Sequence, residues 1–331
     1  MGAREELLVG RHAELAQIAG FLSAELPAAL VLEGDAGIGK TRIWEEGVRT
    51  ASAAGVRVLA TRAAGSEVQL SFAGLGDLLH AVVGEALPGL PAPQRRSLEA
   101  ALLLEEAEGP PPDARAVALA FLAVLRRLSE TAPLVVAVDD LQWLDSPSGR
   151  ALRFALRRLE TEPVGLLGTV RGSPGAALPF ELERAFGDDR LLRIPLGPLS
   201  LGALHELLRA RLGLNLPRPA LVRVVEVCQG NPFFALELGR ELQRRGARPT
   251  PGEPLPIPKN LRQLVLERIG RLPARTRMLV LCAAALAQPT VEVLEAASGD
   301  AVKAEADLDR AARAGVLELD GERVRFTHPL L

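Results

Sequence analysis

Up to about residue 196, short apolar runs alternate with longer segments whose apolar positions recur at helical spacing. The runs at 28–32, 56–60, 134–139, 164–170 and 191–195 read as strands. Segments 13–22, 40–53, 72–83, 114–129 and 146–159 read as helices. This alternation predicts an α/β fold, a parallel sheet with helices on both faces. The run "PLVVAVDD" has no polar face, as expected of a strand buried on both sides. The prolines of "LPGLPAP" and of "GPPPD" at 109–113 read as breakers between helices.

Beyond residue 196 the pattern changes. Segments 201–211, 218–228 and 232–245 read as a small helical domain. A proline-rich linker, "ARPTPGEPLPIPK" at 247–259, is expected to be extended. Helical patterns follow at 261–270, 274–287 and 302–314. Two short strand-like segments, 316–319 and 324–326, then flank "DGER". Helices followed by a hairpin resemble a winged helix. The expected domains are an α/β domain at 1–196, a small helical domain at 197–246, a linker at 247–258 and a winged-helix domain at 259–331. The last residues, "FTHPLL", look like the apolar start of a further segment, so the expectation is a longer protein cut at residue 331.

Composition narrows the function classes. The chain has 331 residues, 48% hydrophobic and 24% charged, with a formal charge of −2. That balance makes no electrostatic case for broad nucleic-acid binding. Cys228 and Cys282, the only cysteines, lack metal-ligand spacing and read as small buried apolar residues in a reducing compartment. The N-terminus lacks a signal-peptide pattern, and the longest apolar runs are too short to cross a bilayer. A cytoplasmic protein is expected. Of 39 basic residues only Lys40, Lys259 and Lys303 are lysine. In so arginine-rich a chain, a lysine inside a glycine-rich loop stands out.

That loop is Gly34-Asp35-Ala36-Gly37-Ile38-Gly39-Lys40-Thr41, which matches G-x-x-x-x-G-K-[ST]. Glycines let the backbone curl until several N–H groups face one anion, and the helix that follows adds its positive end. Lys40 suits the β and γ phosphates, and the Thr41 hydroxyl suits Mg²⁺. The expected nucleotide-binding set is Gly34, Asp35, Ala36, Gly37, Ile38, Gly39, Lys40, Thr41 and Arg42.

A second motif completes the first. "PLVVAVDDLQWLD" is an apolar strand ending in two carboxylates. Asp139 is placed to hold Mg²⁺ with Thr41, and Asp140 to polarise an attacking water as a general base. Taken alone, the pair also reads as an acidic helix cap. Arg171 ends the next strand, "GLLGTVRG", at the carboxyl edge where ligands bind in open α/β sheets, and is a candidate γ-phosphate sensor. In a protein this rich in arginine, a plain surface residue is the other reading.

Together with "LVGRHAELAQI", "CQGNPFFALEL" and "FTHPLL", these motifs resemble the STAND class of P-loop ATPases. More narrowly, they resemble the N-terminal half of the large ATP-binding LuxR-type regulators of actinobacteria. The resemblance runs from Leu8 to Leu331. It implies an AAA-like sheet of order 5-1-4-3-2, then a helical domain and a winged helix. It also implies that Gly10 and Arg11 lie near the adenine or ribose. Pro232, in "GNP", would pack the helical domain against the base, although Gly-Asn-Pro also starts helices well. His328 would contact the β-phosphate of ADP. Family members carry a C-terminal helix-turn-helix for DNA; none is found in this chain, so DNA binding is expected only through a segment outside it.

The leading expectation is a nucleotide switch of slow turnover that binds ATP or ADP with Mg²⁺ and self-associates in the ATP state. A small molecule or protein would act as its inducer, and its output would be transcription. Two alternatives stay open: a steadily working ATPase, and a scaffold that binds nucleotide without hydrolysing it.

Overall fold

The computed structural model describes residues 8–24, 28–104, 112–187, 189–244, 266, 268–286 and 289–326. The linker expected at 247–258 and the candidate His328 lie outside the described residues, as does most of the helix expected at 261–270. The chain divides into two compact units. One comprises Arg11–Asp35 and Gly39–Leu196; the other comprises Met1–Gly10, Ala36–Ile38 and Gly197–Leu331.

The first unit is built on five parallel strands, β1 (Ala29–Gly34), β2 (Arg57–Arg62), β3 (Leu134–Asp139), β4 (Val164–Arg171) and β5 (Leu191–Pro195). Their order is β2-β3-β4-β1-β5, which is the expected 5-1-4-3-2 read from the other edge. Every residue of β1 and β3 is buried, while the edge strands β2 and β5 are mixed. That is the consequence of helices covering both faces of the central strands. Each large aliphatic side chain buried this way contributes about 1.5–3 kcal/mol.

The helices of this unit are α1 (His12–Ser23), α2 (Lys40–Ala53), α3 (Ala73–Leu79), α4 (Val83–Ala86), α5 (Ala92–Ala101), α6 (Ala114–Ser129), α7 (Ser146–Leu156) and α8 (Glu183–Phe186). The single helix expected at 72–83 is instead α3 followed by a turn and α4. The chain leaves helical geometry at Val82 (φ −118°, ψ 0°). Helix α5 was not expected. Its prolines read as breakers, yet Pro91 is its N-cap and Pro93 lies in its first turn, where proline's fixed φ and missing N–H suit the start of a helix.

One carboxylate organises the start of two helices. Asp145, 2% exposed, caps α7 by accepting from Ser148 N at 2.9 Å. It also accepts from Phe72 N at 2.9 Å and Gly74 N at 3.0 Å, at the start of α3. Ser148 Oγ takes the next donor, Leu75 N, at 2.9 Å.

The second unit holds α9 (Leu201–Leu212), α10 (Arg218–Cys228), α11 (Pro232–Arg244), α12 (Ala274–Ala285), α13 (Val291–Ser298) and α14 (Ala301–Arg313). It ends in the antiparallel hairpin of β6 (Leu317–Asp320) and β7 (Arg323–Phe326). Helix α13 was not expected either. Its opening "VEV" alternates like a strand, but Thr290 caps it by accepting from Val293 N at 3.2 Å. On α11, Glu237 and Glu241 are 3% and 4% exposed. Glu237 pairs with Arg240 and Arg268, and Glu241 with Arg244 and Arg271, so each buried carboxylate has at least two guanidinium partners.

Candidate nucleotide-binding site

Parallel register brings the chemistry to one edge. At the carboxyl ends of the strands, Gly34 of β1 lies beside Arg171 of β4, and Arg62 of β2 beside Asp139 of β3. The phosphate loop leaves β1 at Gly34 and enters α2 at Lys40. Gly37 (φ +78°) and Gly39 (φ +103°) take left-handed backbone geometry that an L side chain resists. Gly39 is the N-cap of α2 and has no side chain to cap it, so the first N–H groups of that helix are left for an anion.

Lys40 is buried, 6% exposed, and its Nζ donates to Gly34 O at 2.7 Å and Asp35 O at 2.9 Å. The lysine is thereby held across its own loop. Burial lowers its pKa; Asp140, Asp139 and Asp35 act the other way, and Arg171 adds to the lowering. Asp35 is exposed, and Arg42 is an exposed residue paired with Glu45 at 3.1 Å. Ile38, 5% exposed, is a packing residue.

Asp139 is 4% exposed. Thr169 Oγ1 donates to Asp139 Oδ1 at 2.6 Å and accepts from Asp140 N at 2.8 Å. Burial raises the Asp139 pKa above the usual carboxylate value and the Asp140 charge adds to this, while Thr169, Thr41 and Arg62 oppose it. Thr41 and Asp139 are the two residues expected to hold Mg²⁺. Their oxygens are the hard donors that Mg²⁺ prefers, so the donor set fits that ion.

Asp140 adopts left-handed backbone geometry (φ 54°, ψ 54°) and opens the turn Leu141–Trp143. Its carboxylate does not stand alone. Arg171 donates to it through Nε at 3.3 Å and Nη2 at 3.1 Å. Gln142 Nε2 donates to Asp140 Oδ1 at 2.8 Å, and Gln142 Oε1 accepts from Arg171 N at 3.0 Å. The Arg171 guanidinium carbon lies 5.9 Å from the Trp143 ring centroid. Gly168 makes room for this turn: a Cβ there would meet Leu141 Cδ1 at 2.5 Å.

Arg11 is buried, 5% exposed, and pairs with Glu14 at 2.9 Å. In the second unit, Gly10 packs on α9, where a Cβ would meet Ala203 Cβ at 2.7 Å. Pro232 is the first residue of α11. Its neighbour Asn231, which sequence reasoning passed over, bonds the tip of the phosphate loop: Nδ2 donates to Ala36 O at 2.9 Å. Phe233 N also donates to Gly37 O at 3.3 Å, and Asn231 Oδ1 accepts from Phe234 N at 3.1 Å as the helix cap. Thr169, Gln142 and Trp143 were missed too. The signal for Thr169 was a lone hydroxyl in an otherwise apolar strand; for Gln142 and Trp143 it was the stretch "DDLQW" itself.

Among the described residues, no helix is long and apolar enough to cross a membrane, and no group of three or more His, Cys, Asp or Glu could hold a metal ion. None of the curated proteins compared with the chain matches it. Among solved structures, the Aeropyrum pernix ORC1 protein in complex with DNA is similar at 16% identity and a TM-score of 0.47, over 98% of this chain and 90% of that one. A variant of Thermotoga maritima RuvB is similar at 16% identity and a TM-score of 0.42, over 96% and 92% of the two chains. Residues 7–167 match the family model of the AAA ATPase domain. With the phosphate loop and the paired acids in place at one sheet edge, this segment is an AAA-type ATPase domain.

Proposed function

We propose that the protein is a nucleotide-dependent switch that binds ATP and ADP with Mg²⁺ and hydrolyses ATP slowly. The observation that carries this reading is the meeting of Lys40, Thr41, Asp139, Asp140 and Arg171 at the carboxyl edge of the sheet, with Asp140 already paired to Arg171. Lys40 and the loop N–H groups take the phosphates. Thr41 and Asp139 supply oxygen ligands to Mg²⁺, which, when bound, offsets phosphate charge. Asp140 accepts the proton of the attacking water, and the bond from the γ-phosphorus to its bridging oxygen breaks to leave ADP and phosphate. The bond from Asp140 to Arg171 favours slow turnover over steady turnover.

The finer reading rests on the resemblance to STAND-class regulators. It takes residues 1–196 as the nucleotide-binding domain, 197–246 as the lid, 247–258 as the linker and 259–331 as a winged helix. It gives Gly10, Arg11, Pro232 and His328 roles at the nucleotide, and assigns transcriptional output to a segment outside this chain. Such a switch is cytoplasmic and self-associates with ATP bound. A ligand moves such an equilibrium only by its different affinity for the two states.

The test is to purify the chain, denature it and identify released nucleotide, then measure ATP binding and turnover of wild type and Lys40→Ala. Stoichiometric ADP and turnover well below the median enzyme value of about 10 s⁻¹ support the switch. Steady turnover from an empty protein favours a working ATPase, and binding without turnover favours a scaffold. Wild-type affinity in Lys40→Ala removes the loop assignment altogether.

A further inference from the structure

Asp140 is the residue asked to activate water, yet every polar contact found at its carboxylate is a donor that ties it down. Arg171 binds it at 3.1 and 3.3 Å, and Gln142 at 2.8 Å. The pair is partly buried, with side-chain exposures of 17% for Asp140 and 23% for Arg171, so solvent screens it only in part. Arg171 is held at three points: its guanidinium by Asp140 and near the Trp143 ring, and its backbone N–H by Gln142 Oε1. Gln142 is the hinge of this set, because its amide gives a hydrogen bond to the acid and takes one from the arginine's own backbone.

We infer that Gln142 is a positioning residue that keeps Asp140 paired with Arg171, so that the site rests locked and turns over only when Arg171 leaves Asp140 for the terminal phosphate of the bound nucleotide. This rests on the ATPase reading above. The physical basis is competition for one guanidinium. Its flat fork matches a carboxylate and a phosphate alike, and it cannot fully serve both. A nucleoside triphosphate offers a terminal phosphate with more charge than a carboxylate; a diphosphate lacks that group. Exchange of partners therefore frees Asp140 only when the substrate is present. Gln142 sets how readily that exchange occurs, since its bond to Asp140 must also be given up.

The test compares wild type with Gln142→Ala and Gln142→Met, the second keeping the side-chain length without its donor or acceptor. Nucleotide affinity, KM and kcat at saturating ATP, and Tm are measured on the full chain. The expected result is a kcat raised about tenfold in both variants, as one charge-assisted hydrogen bond is worth, with nucleotide affinity and Tm nearly unchanged. A purely structural glutamine would lower Tm and leave or reduce kcat. An unchanged or lowered kcat in both variants, beside an active wild type, overturns the interlock alone. A wild type that binds no nucleotide overturns the ATPase reading, and the interlock falls with it.

Discussion

Thr169 Oγ1 stands 2.6 Å from Asp139 Oδ1 and 2.8 Å from Asp140 N, so one hydroxyl serves both acids of the site. It donates to the first carboxylate and accepts from the backbone of the second residue. Thr169 is fully buried, and no water can replace it at low cost. Thr169→Val keeps the shape and removes both bonds. It should destabilise the protein by about 2–3 kcal/mol, because a charged acceptor and a backbone donor each lose a partner. Urea unfolding checks this. Turnover should fall, and Thr169→Ser should recover most of both losses.

Asp139 is strained in a different sense. Burial holds its pKa above the value of an exposed carboxylate, so the ionised form costs folding energy. A raised acid pKa means that the folded state binds more protons, and stability falls as pH rises through the window above the ordinary value of 3.8. Asp139→Asn should raise Tm at neutral pH while ending Mg²⁺-dependent turnover. Its advantage over wild type should shrink as pH falls. A scan of Tm against pH for both proteins checks the sign.

In the second unit, Asn231 joins the start of α11 to the phosphate-loop tip. Asn231→Ala loses the cap on Phe234 N and the bond to Ala36 O, a cost of about 1–2 kcal/mol. Amide exchange at residues 36–38 should accelerate, and nucleotide affinity should drop about threefold to tenfold. Titration with a fluorescent nucleotide checks the second outcome.

Glu237 of α11 answers to Arg240 and Arg268, and Arg268 also donates to Gly315 O at 3.1 Å. Arg268→Gln leaves a buried carboxylate with one partner and should cost about 2 kcal/mol. Adding Glu237→Gln should return part of that loss, since the uncompensated charge is gone. Denaturant midpoints of the two single variants and the double variant measure this coupling.

The sheet was legible because its strands are apolar on both faces, and no helix of such residues would be so short. Lys40, Thr41, Asp139 and Arg171 could be named as candidates because few other residue types suit phosphate and Mg²⁺ chemistry at such positions. Less visible were residues that serve through a hydrogen bond alone. Gln142, Thr169 and Asn231 are ordinary polar residues in the sequence, and only folding shows that each one joins backbone or side-chain groups from different segments. Helix α5 was hidden because its prolines start a helix as readily as they break one, and α13 because its β-branched opening was outweighed by the Thr290 cap.

The reach of Asp145 bears on how the chain assembles. Helix α3 has seven residues, too few to persist alone, and its opening N–H groups are closed by a side chain more than 70 positions later. Residues 72–79 therefore cannot complete their structure until Asp145 has left the ribosome. They wait for β3 and the turn after it, and so the stretch beside the nucleotide motif is completed only after the acids of that motif have been synthesised. The order of synthesis thus delays this helix until the second half of the site exists.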